Sequence, residues 1–225
     1  GERSRVAGVR RYRIDAVHDA PIYKKRKVED RCNGIEIDFR EGFSLEFRAY
    51  DDAVAYRFVA RQPGEVLVAG EEARFRFAPG AVAFVPYVRD TPYRHDGLAF
   101  GEQFMQSFEN TYTRTPLCEM DSARLAFLPL LVQTAGGMNV CITEADLESY
   151  PGMFLHRSGA DELEGVFAPS PRKVVPGGYD RMQGVVEEYE PFIASLAPGD
   201  RLPWRALSIV RQDARLADND LVWKL

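Results

Sequence analysis

Clustered carboxylates are the residues of this chain that chemistry would use first. Asp51 and Asp52 are adjacent, and a pair of acids suggests acid–base hydrolysis of the kind that cleaves glycosides. That chemistry needs two carboxyls roughly 5–9.5 Å apart across a sugar-sized cleft. Neighbouring residues at a hairpin tip point in different directions, and Asp favours turns because its side chain bonds the local backbone. The pair therefore reads as a turn. The second cluster is Glu144, Asp146 and Glu148, in the run Cys141-Ile142-Thr143-Glu144-Ala145-Asp146-Leu147-Glu148-Ser149-Tyr150-Pro151-Gly152-Met153. Thr143 and Asp146 form a Thr-x-x-Asp capping pattern, and acids are favoured in a first helical turn. On the residues alone Glu144 is a helix N-terminal charge, with Asp146 and Glu148 as cap and surface residues.

The remaining reactive side chains do not gather. His18, His95 and His156 stand more than fifty residues apart, and His95 in Tyr93-Arg94-His95-Asp96-Gly97 reads as a surface turn. Cys32, Cys118 and Cys141 match no zinc spacing and behave as small apolar residues. Gly-x-Ser-x-Gly and Gly-x-x-x-x-Gly-Lys are absent. Trp204 and Tyr150 have the ring types that stack on sugars. Trp204, between Pro203 and Arg205 beside an apolar run, fits core or interdomain packing better. The basic run Lys24-Lys25-Arg26-Lys27 reads as a solvated loop or edge strand.

These residues need a scaffold, and its class is legible. The chain has 225 residues, 45% hydrophobic and 12% aromatic, enough to bury one core without disulfides or metals. A net charge of −5 argues against nucleic-acid binding. No apolar run approaches the roughly 18 residues of a membrane span, and Gly1-Glu2-Arg3-Ser4 does not open a signal peptide. Period-two patterning dominates. Ile35, Ile37 and Phe39 alternate with Glu36, Asp38 and Arg40, and Phe43, Leu45, Phe47 and Ala49 alternate with Ser44, Glu46 and Arg48. Glu41-Gly42 and Asp51-Asp52-Ala53 supply hairpin turns. Further strands are expected over 12–17, 54–58, 74–77, 81–85, 97–108, 126–132, 138–143, 153–155, 164–168, 207–210 and 221–223. Val174–Gly178 reads as a loop. Short helices are expected at Ala145–Glu148 and Cys118–Ala126. The fold is all-β, two packed antiparallel sheets with one or two short helices, in a single domain over residues 1–225.

Several ordered segments carry a resemblance. They are the stretch from Glu46-Phe47-Arg48-Ala49-Tyr50-Asp51-Asp52-Ala53 to Phe58, the Ile142–Met153 run, Leu163–Ala168, and Leu202–Ile209 with Pro203-Trp204-Arg205. Together they resemble the N-terminal domain of glycoside hydrolase family 97, an α-glucosidase and α-galactosidase family. The terminal Leu221-Val222-Trp223-Lys224-Leu225 looks like the strand that hands over to the catalytic barrel. One departure is Ala53, where the family usually places Gly; a left-handed non-Gly residue costs about 1–2 kcal/mol.

The resemblance implies a large β-sandwich of the supersandwich, galactose mutarotase-like type, the N-terminal part of a longer enzyme. It implies a (β/α)8 catalytic barrel outside this chain, since such a barrel needs roughly 250 residues. No catalytic residue is then expected here. It implies that Glu144 is a ligand to calcium, with the other protein ligands on the barrel, so that calcium binds this stretch alone weakly. An oligosaccharide substrate is expected for the whole protein, in a bacterial periplasm or outside the cell. An exposed apolar, barrel-facing surface is expected, and with it a means of pairing two copies as a homodimer. The competing reading is a free-standing carbohydrate-binding or protein-interaction sandwich. It is disfavoured by a C-terminus that ends in mid-strand pattern.

Overall fold

Alternation of apolar and polar residues along most of this chain leaves little choice but strands, each with one face to bury. The computed structural model describes residues 4–88, 99–106, 108–177 and 181–225. The first strands are β1 (Val6–Asp19), β2 (Lys27–Phe39), β3 (Phe43–Ala49) and β4 (Ala53–Ala60). Then come β5 (Val66–Val68), β6 (Arg74–Arg76), β7 (Val82–Val85), β8 (Thr113–Pro116), β9 (Leu130–Gln133) and β10 (Asn139–Ala145). The last are β11 (Met153–Gly159), β12 (Glu162–Phe167), β13 (Pro171–Gly177), β14 (Gln183–Tyr189), β15 (Ala194–Leu196) and β16 (Trp204–Val210).

A nine-stranded antiparallel sheet in the order β1-β2-β3-β4-β16-β10-β9-β7-β8 forms one layer. The three-stranded sheet β11-β12-β6 packs on it, beside the two-stranded sheet β15-β5. The result is a large antiparallel β-sandwich. Its main core lies between the layers: Ala83, Val85, Leu130, Val132 and Ile142 from the large sheet meet Phe75, Met153, Leu155 and Leu163 from the small one. Residues two apart share a face. Glu144 therefore follows Ile142 toward the small sheet, whereas Ala145 turns to the outer face.

That outer face is not left bare. Trp204, Ala53, Ala55, Ala145 and Ala206 form a second cluster, covered by Leu221 and Leu225. Two short helices, α2 (Asp213–Ala217) and α3 (Leu221–Lys224), carry this cover, and α1 (Phe100–Gln103) lies elsewhere in the chain. The basic run holds the cover in place. Lys25 Nζ bonds Asp220 at 2.7 Å and Asp218 at 2.8 Å, and Tyr23 Oη donates to Asp220 at 2.8 Å. The Tyr23 and Trp223 rings stand 4.6 Å apart.

Five expectations are corrected. Residues 221–223 form α3 rather than a strand; the Asn219 side chain accepts from Leu221 N–H and caps the turn, which a three-residue alternation cannot reveal. No helix follows Thr143: β10 runs to Ala145, and Asp146 takes φ 57°, outside any helix. Between 118 and 126 there is one 3-10 turn, Leu117–Glu119. Within 97–108 the described segment contains α1 and no strand. Residues 174–177 belong to the β13–β14 hairpin, its prolines sitting where a two-stranded ribbon tolerates them. Ala53 needs no left-handed backbone, since the positive-φ non-glycine residues among those described are Asp146, Ser149 and Arg181. The family's glycine is therefore dispensable in this turn.

Candidate functional site

Antiparallel register sets Glu144 on β10 directly opposite Arg205 on β16. Arg205 lies one residue beyond Trp204, so the pleat that buries the indole on the outer face sends the guanidinium between the layers. Its Nη1 donates to Glu144 Oε2 at 2.8 Å. Its Nε and Nη2 donate to Glu71 Oε1 and Oε2 at 2.7 and 2.6 Å, a two-pronged grip on one carboxylate. Tyr150 Oη donates to the same Glu71 Oε2 at 3.0 Å. The Met153 backbone N–H reaches both Glu144 oxygens, at 3.2 and 3.1 Å. Phe167 and Tyr150 lie under the guanidinium, with ring centroids 4.9 and 5.7 Å away.

Burial is close to complete. The side chains of Arg205, Glu71 and Glu144 are 1%, 5% and 13% exposed. Two carboxylates share one guanidinium, so the cluster carries one excess negative charge. The effect falls on Glu144: burial pushes its carboxyl above the ordinary range, and Arg205 only partly opposes this. Burial works against the Arg205 charge too, but Glu71 and then Glu144 hold its pKa above the usual value. Tyr56, opposite Arg205 on β4, is pushed up to about 12 by burial and then by the charge of Glu71.

A ligand shared with a partner domain would be open to solvent and free of a local cation. Glu144, one residue short of the end of β10, is instead mostly buried and carries an arginine partner. The physical reason is the 61-residue separation of Glu144 and Arg205. A strand register over that distance leaves no local mark in the sequence. Asp146 points elsewhere and accepts from Arg57 Nη1 at 3.0 Å, and Glu148 is exposed. Glu71, in a stretch without periodicity, was not among the candidates. Only its proximity in space identifies it.

The other candidates take structural places. Tyr50 N–H bonds the Ala53 carbonyl at 2.9 Å across Asp51-Asp52, which makes that pair a hairpin turn. Trp204 is fully buried, between the guanidinium of Arg57 at 4.1 Å and that of Arg48 at 4.7 Å. It is not open to a sugar. Tyr150 is buried and edges an apolar cleft of about 770 Å3 that runs past Phe43, Phe58, Val68 and Leu202 to Glu71. His18 lies 3.2 Å from Asp30, His156 lies against Phe100, and His95 falls outside the described residues. The cysteines are free thiols.

Calcium takes six to eight oxygen ligands. Among the described residues no three His, Cys, Asp or Glu side chains gather as a metal site. Glu71 is engaged by Arg205 and Tyr150. Glu144 Oε1 accepts one bond, at 3.2 Å, and keeps a free lone pair beside an excess negative charge. The donor set fits one ligand of a shared site and not a site of its own.

The family described as Glycosyl-hydrolase 97 N-terminal matches residues 1–225. The chain belongs to this family. A relative of this family 97 domain is the "Retaining alpha-galactosidase" of Bacteroides thetaiotaomicron, 38% identical over 226 residues, which span all of this chain and 34% of the relative. The chain therefore covers about a third of that curated protein's length. Solved structures share the fold. A family 97 enzyme from Pseudoalteromonas sp. strain K8, solved in complex with acarbose, superposes with a TM-score of 0.69 at 17% identity, over 96% of this chain and 29% of that one. A structure named beta-arabinopyranosidase gives a TM-score of 0.68 at 19% identity, over 92% of this chain and 32% of that one.

Proposed function

We propose that this family 97 domain is the non-catalytic sandwich of a bacterial glycoside hydrolase of the α-galactosidase or α-glucosidase type, periplasmic or secreted. It packs on a catalytic barrel, shapes part of the pocket for an oligosaccharide, and lends Glu144 to a calcium ion whose other protein ligands lie on that barrel. The observation that carries this reading is 38% identity, over the whole of this chain, to a protein named as a retaining α-galactosidase.

The residues of this chain have defined tasks in that reading. Arg205 and the Met153 N–H fix the direction of the Glu144 carboxylate from two sides, at 2.8 and about 3.1 Å. Glu71 occupies the other prongs of Arg205, so the guanidinium cannot swing round to grip Glu144 bidentately. The excess negative charge of the cluster favours an approaching cation. Calcium bound there would supply positive charge and a fixed template at the pocket. The carboxylates themselves do no acid–base work: Glu71 and Glu144 clasp one guanidinium, with no sugar-sized gap between them.

The test uses the full-length protein. Glu144→Gln should weaken calcium binding, measured by calorimetry, together with turnover of a nitrophenyl α-galactoside or α-glucoside, while the circular dichroism spectrum is kept. Unchanged calcium affinity would remove Glu144 from the ligand set. Lack of any glycosidase activity in the wild-type protein would favour the free-standing carbohydrate-binding module instead.

A further inference from the structure

Among the described residues, the β13–β14 hairpin is the two-stranded unit that stands away from both layers. Neither strand packs on another element to more than a marginal extent. A lone hairpin in water is marginally stable at best, and needs a third strand or a packed face. This one has the side chains for such a face and nothing described on it. Register pairs Val174 with Val186 on one side and Val175 with Val185 on the other. Val174 is 54% exposed and Val185 37% exposed, and Met182 near the tip is 79% exposed. The valines lie flat: a Cβ on Gly184 would sit 2.8 Å from Val174, and one on Gly177 would sit 2.7 Å from Val185. Charge among the described residues lies at the base, where Lys173 meets Glu187 at 2.6 Å and Arg172 meets Glu188 at 3.7 Å, and at the tip, where Arg181 stands beside Met182. Pro171 and Pro176 remove two backbone donors from β13, which protects that strand against random edge pairing.

The place from which the hairpin rises says what it meets. It follows directly on β12, whose last residue Phe167 packs under Arg205 and beside Tyr150. Its base is closed by Ser170 N–H to the Phe192 carbonyl at 2.9 Å, and the next residue, Ile193, lies in one cluster with Tyr150. The arm thus springs from the end of the sandwich that holds Glu144. About two thirds of the length of the family 97 relative lies outside the part that this chain matches. In the functional reading above, a catalytic body of that size is the occupant available to a ribbon that exposes valines on both of its faces.

We infer that the β13–β14 hairpin is a clamp that inserts into the catalytic domain of the same protein, beside the Glu144 end, so that both of its valine faces are covered. This rests on the functional reading above and adds the element that makes the contact. The contact is apolar, so it needs no charged counterpart. Each buried valine pair contributes through area removed from water.

The test is photo-crosslinking in the full-length protein, with benzoylphenylalanine at Val174 in one preparation and at Val185 in another. Glycosidase turnover is measured on both. A tethered neighbour is present at millimolar effective concentration against micromolar protein, so crosslinks within one chain, to residues outside 1–225, should exceed those between chains by about a hundredfold. Crosslinks chiefly between chains would overturn the inference in favour of a second copy. The absence of crosslinks would overturn it in favour of a solvated arm. An active enzyme with either result leaves the functional reading standing while the clamp fails. An inactive wild-type protein that still crosslinks within the chain keeps the clamp and sinks the glycosidase.

Discussion

Arg205 is the residue on which the site depends, since its one guanidinium is the charge partner of two buried carboxylates at once. Replacing it with Met keeps volume but leaves Glu71 and Glu144 as facing buried anions. Breaking a buried ion pair on one side costs about 3–5 kcal/mol, and urea unfolding of Arg205→Met should show a loss of that order. Adding Glu71→Gln and Glu144→Gln to Arg205→Met should recover part of it, because no unpaired charge is then buried. A full loss that persists in the triple variant would mean that packing on Phe167 and Tyr150 matters more than charge. Glu144 itself was visible in the sequence only as a member of a resembling motif. Its residue-level reading as a helix cap failed because β10 runs on to Ala145 and Asp146 then adopts a left-handed backbone, with its carboxylate bonded by Arg57. Glu71 left no sequence signal, because its role is created by a guanidinium 134 residues away.

At the level of elements, the strands were legible where burial is one-sided. The β2–β3–β4 meander follows its alternation and its turns closely, since a one-residue slip would expose every core side chain. Short helices were not legible: α3 is held by Tyr23 and Lys25, contacts that no window of about eleven residues contains. That clasp gives a pH prediction. Burial acts to raise the Asp220 carboxyl, but bonds from Lys25 and Tyr23 outweigh it and hold its pKa below the ordinary 3.8. A depressed acid stabilises the fold above its unfolded value, and the contribution is lost as pH falls through the folded one. The α3 cover should therefore loosen in acid below pH 3.8, read as a change in Trp223 emission. Asp220→Asn should abolish the acid-dependent part of that change. A second test concerns the edge strand β1. The Tyr12 ring lies directly on Gly34 of β2, where a Cβ would come within 2.1 Å of it, and Tyr12 Oη donates to Glu46 at 2.5 Å. Gly34→Val should displace the ring at an overpacking cost of about 1–3 kcal/mol. Hydrogen exchange should then show β1 amides losing protection before those of β10.

For the whole molecule, the carboxylates that share a cleft are tied to structural partners: in the cavity of about 460 Å3 lined by Asp52, Asp218 and Asp220, Lys25 binds Asp218 and Asp220, and Asn219 donates to Asp52 at 3.0 Å. The isolated chain should therefore hydrolyse neither nitrophenyl α-galactosides nor α-glucosides. Turnover abolished by a single Asp or Glu substitution within residues 1–225 would refute this. The exposed apolar face expected of a partnered domain takes an unexpected form. Large exposed apolar side chains are scattered, along the edge strand at Val6, Val9 and Val17, on the hairpin at Val174, Val185 and Tyr189, at Met105, Phe108 and Tyr112, and at Val222 and Trp223 of α3.

The order of strands bears on how the protein is made. β16 lies in the middle of the nine-stranded sheet, between β4 and β10, yet it is the last strand of the domain to be synthesised. Until the ribosome has released Trp204–Val210, the sheet exists as two halves, β1 to β4 and β10 with β9, β7 and β8. Each half then presents a bare edge of unpaired backbone groups. At ~20 residues per second, translation leaves the β4 edge open for roughly seven seconds. Edges of that kind recruit chaperones or other nascent chains. Premature termination before Trp204 should give insoluble fragments, while stopping after Val210 should give a closed sheet that lacks only its cover of α2 and α3. Separating the two products by sedimentation would check this, and it would place the quality-control checkpoint of the domain at its final strand.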